Sequence, residues 1–223
     1  MGAARGTSRA GIFIAQEVSV LLRRLLSVAV VPVLALAVFV VASPASAASG
    51  GGCQLQGTAS FSPGLTNTAG PFTYNFSGTL SSCQSSVAGS PATGTVSAGQ
   101  AVAGAAGEMF QEPVPSGNGT CANGTTSGTA IITWADATTT VIQYSTNSAA
   151  AAVLLQGTVI SSVTLSAINP LPGQPTSETI TTTRYAGDNA TGTLTFQADP
   201  TQCNGSPGVT SAGIGGATFL TGP

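Results

Sequence analysis

The sequence predicts an all-β protein: a single antiparallel β-sandwich locked by two disulfides, with a β-barrel as the alternative. Three observations predict it. Apolar and polar residues alternate with a period of two in several stretches, the pattern of strands with one buried face. Thr, Ser and Gly make up 76 of the 176 residues from position 48 onward, and Thr favours strands while Gly favours tight turns. Nothing in that region carries a 3.6-residue apolar period, so helix is expected to be minor.

Residues 1–47 read as an export leader. Arg23 and Arg24 precede an apolar run from Leu25 to Val41, and Ala45-Ser46-Ala47 closes it. Positive flank, hydrophobic middle and small-x-small exit are the parts of a secretory signal peptide. Residues 48–52 then form a short Gly-rich linker, and 53–223 the folded domain. The expected location is extracellular, with the membrane met only through the leader; the alternative is an anchor formed by uncleaved residues 25–41.

Within the domain, Leu55, Gly57, Ala59 and Phe61 alternate with polar partners to give a first strand. Phe72, Tyr74, Phe76, Gly78 and Leu80 give a second. Residues 84–127, rich in Ser, Gly and Ala, read as loops around one or two edge strands, with a helical turn over 105–111 carrying Glu108 and Glu112. The clearest hairpin spans 128–146: Ala130, Ile132 and Trp134 share a face opposite Ile142 and Tyr144, with Ala135-Asp136-Ala137-Thr138 as the reversal. A single long strand is expected over 153–165, covered on both faces because Leu154 and Ile160 interrupt its polar side. A further hairpin is expected to join 179–185 to 192–198 across Gly187-Asp188-Asn189, and a weak last strand to occupy 212–220. Seven to nine strands follow from this reading.

Leu, Ile, Val and Phe number only 31 of those 176 residues, a thin core that covalent help would support. Four cysteines in an exported chain imply two bridges, with three possible pairings. Cys53 with Cys83 and Cys121 with Cys203 is favoured, because the first two flank a strand pair and the others flank the remaining half.

Charge excludes more than it identifies. Beyond the leader there is one cation, Arg184, against six carboxylates, and the whole chain has no His. A phosphate-binding groove cannot be built from one guanidinium, so nucleic acid is set aside as a partner. His-dependent triads go too. No cofactor, metal site or catalytic residue is indicated. Three residues are candidates for binding: Arg184, whose bidentate fork could anchor a carboxylate or simply pair with Asp188 or Glu178; Tyr185, an exposed ring beside a turn; and Asp188, a turn acid. Trp134 is expected to pack in the core. Carboxylate pairs such as Glu108 with Glu112, or Asp136 with Asp188, would suffice for glycoside hydrolysis, although no motif singles them out.

The blocks from Cys53 to Leu65, from Gly117 to Cys121, from Thr126 to Trp134 and from Arg184 to Cys203 resemble those of secreted proteins from high-GC actinobacteria. The resemblance implies source and export, and carries no catalytic residues. The expected function is an extracellular binding or envelope-associated module whose partner is a cell-wall or extracellular glycan or a protein. A carboxylate-dependent glycoside hydrolase and an inhibitor of an extracellular protease are the alternatives.

Overall fold

The computed structural model describes residues 50–105 and 107–222. The expected leader at 1–47, and the anchor alternative at 25–41, lie outside the described residues.

Strand β1 (Gly50–Leu65) turns Cys53, Leu55 and Ala59 inward and Gln54, Gln56 and Thr58 to solvent. It pairs along nearly its whole length with two neighbours: β2 (Gly70–Ser85) on one side and the last strand, β13 (Val209–Thr221), on the other. The glycines expected as linker at 50–52 are the first residues of this strand. Next in chain order come β3 (Gly94–Ala98), β4 (Ala101–Ala103), β5 (Met109–Gln111) and β6 (Ser116–Gly119). They precede the long hairpin of β7 (Asn123–Trp134) and β8 (Thr139–Ala149), then β9 (Ala152–Ile160), β10 (Ser162–Ala167), β11 (Ser177–Thr181) and β12 (Asn189–Gln197).

Hydrogen bonding runs β1-β13-β12-β9-β8-β7-β3-β2 and back to β1, a closed eight-stranded antiparallel barrel. The position between β2 and β7 is shared. β3 pairs with residues 76–80 of β2 and 131–134 of β7, while β6 pairs with residues 70–73 and 124–127 of the same strands. The barrel corrects the sandwich. Two facing sheets would leave β1 an edge, whereas here its pairing with β13 removes the edge altogether.

Inward glycines make room for the large rings that fill so narrow an interior. Gly57 lies opposite Gly78, and a Cβ at Gly57 would strike both the Phe76 ring and the Ser77 carbonyl. Phe76 therefore lies over a stretch of wall without side chains.

Between β3 and β6 the chain leaves the wall. β4 and β5 form half of a second, four-stranded sheet of order β11-β10-β5-β4, so 84–127, expected as loops around one or two edge strands, holds β3, β4, β5, β6 and the start of β7. The expected helical turn at 105–111 is instead β5 and its approach. Glu112 fixes the departure point: its buried carboxylate accepts from Ser97 Oγ (2.6 Å) and Gln100 N (3.0 Å). Gln111 Nε2 donates to the Gly99 carbonyl (3.0 Å). This outer sheet has its own core, Phe110, Ile131 and Leu165, with Val102, Val163 and Ile180 packed against it. Ile131 projects from the outside of β7.

Two further expectations are corrected by the same excursion. The strand expected over 153–165 breaks at Ser161, where β9 stays in the barrel and β10 crosses to the outer sheet; Leu154 is exposed. The hairpin expected between 179–185 and 192–198 does not form, since β11 pairs with β10 and β12 pairs with β9 and β13. Short strands that change partners leave the same period-two pattern as one continuous strand. The described residues hold thirteen strands and one short 3-10 helix, Pro200–Asn204.

The bridges are Cys53–Cys83 and Cys121–Cys203, as expected. Together they fit an oxidising environment. No described helix is long and apolar enough to cross a membrane. The outward residues of β12 are Asn189, Thr191, Thr193, Thr195 and Gln197, and its inward ones Ala190, Gly192 and Leu194. A membrane-spanning barrel has the opposite polarity, with an apolar outer band around a polar lumen.

Candidate functional site

The closed wall encloses a cavity of about 180 Å³. Leu55, Ile132, Trp134, Ile142, Leu155 and Leu194 supply its apolar surface from the inward faces of five strands, β1, β7, β8, β9 and β12. Among the described residues, no Asp, Glu, Lys, Arg or His side chain lines it. Eight strands give an interior that is either just filled by side chains or holds one small ligand. Glycine and alanine at inward positions 57, 59, 78, 130, 157, 190 and 192 leave this interior less than filled by side chains.

One side of the interior is polar. Along β8 the inward residues run Thr140, Ile142, Tyr144, Thr146 and Ser148. Tyr144 and Thr146 meet Tyr74 from β2 and Thr126 from β7 in a continuous chain of hydroxyls. Tyr144 Oη lies 2.6 Å from Tyr74 Oη, which lies 3.1 Å from Thr126 Oγ1, itself 2.8 Å from Thr146 Oγ1. Burial pushes the Tyr74 phenol above its ordinary pKa, against the lowering effect of its bonds to Thr126 and Tyr144. Burial, followed by the neighbouring Tyr74, pushes Tyr144 far above the usual phenol range. Both phenols are protonated at neutral pH and serve there as neutral hydrogen-bonding groups.

Sequence reading placed Tyr74 and Tyr144 on inward parity without joining them into a site. The available signal was four hydroxyl side chains sharing the parity of the aliphatic residues, which an apolar core has no use for.

The end of the barrel near Trp134 is capped. Trp134 Nε1 donates to the buried Thr140 Oγ1 (2.9 Å), which donates to the Arg184 carbonyl (2.9 Å). The Tyr185 ring packs edge-on against Trp134 at 5.6 Å between centroids, and its hydroxyl reaches Ser90 Oγ at 3.1 Å. Tyr185 holds a φ of +63°, which costs a non-glycine residue about 1–2 kcal/mol; the ring contact and the cap hydrogen bonds hold it there. It is a half-buried plug, which corrects the expectation of an exposed ring.

The ion pair of Arg184 is with Asp136, at 2.6 Å, where Asp188 or Glu178 was the expected partner. Its Nε donates to Thr138 Oγ1 (3.0 Å) and it lies 5.8 Å from the Tyr185 ring centre. Asp188 is almost wholly buried, its carbonyl accepting from Val159 N (2.8 Å), so it is no exposed turn acid. The three expected binding residues thus belong to a closing element: Arg184 and Tyr185 cross the barrel end, and Asp188 leads the chain back into β12.

Asp136 gives that cap a pH dependence. Hydrogen bonds from Thr138, then Arg184, hold its carboxyl below the ordinary Asp value of 3.8. A depressed folded-state pKa means that the stabilisation is complete above the ordinary value and is lost as pH falls through the lowered one. Trp134 emission is expected to stay constant from neutral pH down to about 4 and then change on further acidification; Asp136→Asn is expected to lack that step. An identical acid profile in the variant would remove Asp136 from the cap.

At the opposite end the 3-10 helix is capped by Asp199, which accepts from Thr201 N (2.9 Å) and Thr201 Oγ1 (2.7 Å). Those bonds hold its carboxyl below the usual range. Cys203 ties this helix to Cys121, beside the cluster of Leu65, Phe72 and Val209. Thr120, Ser148 and Ala150 line the cavity here.

The remaining carboxylates do not converge on the cavity. Glu112 is engaged at the start of the excursion, Glu178 lies on β11, and no group of three or more His, Cys, Asp or Glu among the described residues is placed to hold a metal ion. Compared with known protein families, curated proteins and solved structures, the chain matches none.

Proposed function

We propose that this protein is an extracellular binding protein whose barrel takes up a small apolar molecule. The observation that carries the reading is the inverted polarity of the wall: Thr, Ser, Asn and Gln face solvent, while aliphatic and aromatic side chains surround a cavity of about 180 Å³. A protein needing only a stable core would fill that space, because a void lined by Leu, Ile and Trp forfeits packing contacts on every side. Concave, largely apolar, preformed sites with a few placed polar groups are what small molecules bind.

The two disulfides support an extracellular place for this activity, in keeping with the leader expected at residues 1–47. Glycoside hydrolysis fits less well, because no carboxylate of the described residues lines the cavity.

Trp134 is the only tryptophan of the chain and lines the cavity, so its fluorescence reports occupancy directly. Titration with the neutral hydrocarbon indane is expected to shift Trp134 emission saturably, with a stoichiometry of about one. Absence of any saturable change would overturn the proposal.

A further inference from the structure

We infer that the ligand is an uncharged lipophile of about ten non-hydrogen atoms bearing one hydrogen-bond-accepting oxygen, held at the hydroxyl chain of Tyr74, Thr126, Tyr144 and Thr146. The inference rests on the reading of the barrel interior as a ligand site and names the chemistry that the site selects.

Size comes from the cavity. A dry, apolar cavity of about 150 Å³ accommodates benzene, so about 180 Å³ suits a molecule somewhat larger. Charge comes from the lining: with no charged side chain among the described residues inside, a buried carboxylate or ammonium would go unpaired, and it would stay in water instead. The oxygen follows from counting donors. Four hydroxyls offer four O–H donors, and three contacts join them, so one proton is left over from the chain whichever way the bonds point. Burial keeps both phenols from shedding that proton. The chain therefore has one hydrogen bond to give to whatever shares the cavity, and a ketone, lactone, ether or alcohol oxygen accepts it. Position gives orientation: the polar side runs along β8 from Tyr144 toward Ser148, with Trp134 at the far end. The ligand's oxygen points toward the Cys121–Cys203 end and its hydrocarbon body toward Trp134.

The test compares indane, 1-indanone and indane-1-carboxylate by calorimetry on the whole oxidised protein. The ketone is expected to bind roughly two- to tenfold more tightly than the hydrocarbon, the contribution of one neutral hydrogen bond, and the carboxylate at least about a hundredfold more weakly than the ketone. In the Tyr74→Phe/Tyr144→Phe variant the ratio of ketone to hydrocarbon affinity is expected to fall to about one, since the hydroxyls are lost and the rings are kept. Should that variant fail to fold, the carbonyl stretch of 1-indanone bound to the unaltered protein still decides: it is expected at lower wavenumber than in hexane. Equal binding of hydrocarbon and ketone, a ketone preference that survives loss of both phenols, an unshifted carbonyl, or a carboxylate that binds as well as the ketone would each overturn the ligand class while leaving the cavity reading intact. Failure of indane itself to bind would instead defeat the cavity reading.

Discussion

Replacing Cys121 and Cys203 with serine is expected to lower the unfolding free energy by about 4.5 kcal/mol, and replacing Cys53 and Cys83 by about 3.6 kcal/mol, on the chain-entropy account of cross-links. The difference follows from the separations of 82 and 30 residues. Structure widens it. Cys53 and Cys83 lie on β1 and β2, which are already hydrogen-bonded on both sides of the bridge. Cys121 and Cys203 instead join two connecting segments at one end of the barrel. Few other bonds assist them there: Cys121 N donates to the Thr66 carbonyl (2.8 Å), Asn67 N to the Cys203 carbonyl (3.2 Å), and Asn67 Nδ2 to Asn204 Oδ1 (2.7 Å). Without the bridge that clasp opens and exposes the cluster of Leu65, Phe72 and Val209. Urea denaturation checks the prediction; a loss below about 1 kcal/mol for the Cys121/Cys203 variant would mean that this end is held by something else.

Phe110→Ala is expected to cost about 3–5 kcal/mol. Phe110 is 1 % exposed, stands on a strand of only three residues, and packs against Ile131 of the barrel wall and Leu165 of β10. Truncation leaves a cavity between two layers, and β5 has too few hydrogen bonds of its own to hold the outer sheet in place. Amide protection in β10 and β11 should therefore fall well before that in β1 and β13. Leu154→Ala, on an exposed outward position of β9, is the control, with an expected change within about 0.5 kcal/mol. Comparable effects at the two sites would contradict a separate core beneath the outer sheet.

Strand parity was legible in the sequence wherever strands are long. The inward sets of β1, β2, β7 and β8 emerge from period two alone, because one face of each meets an apolar interior and the other meets water. Closure was not legible. Whether β1 ends as an edge or pairs with β13 depends on contacts such as Leu55 with Gly216, separated by most of the domain, and alternation is identical in a flat sheet and a curved one. The excursion from Gly99 to Pro115 was hidden for another reason: strands of three residues are too short for a period to register. Local charge proximity was misleading for Arg184. The favoured partners Asp188 and Glu178 are near in sequence, yet Asp136 reaches it from the β7–β8 turn because β8 and the cap segment meet through Thr139 and Thr183. The disulfide pairing succeeded since both bridges join segments that the strand order brings together.

The candidate site was legible only in its parts. Tyr74, Tyr144 and Trp134 were each placed facing inward, while the space between them is a property of the closed wall and of the small residues opposite. A hydroxyl among apolar neighbours on a single strand is unremarkable; four of them drawn from β2, β7 and β8 are a site only once those strands surround a common axis.

Nuclear Overhauser contacts between bound 1-indanone and protein methyl and indole protons test the account most directly. The account predicts contacts to Ile132, Ile142, Leu155, Leu194 and Trp134, all inside the wall. Contacts confined to the exposed Leu154 and Leu171 would show that the ligand sits on the outside, and would contradict a barrel that binds within.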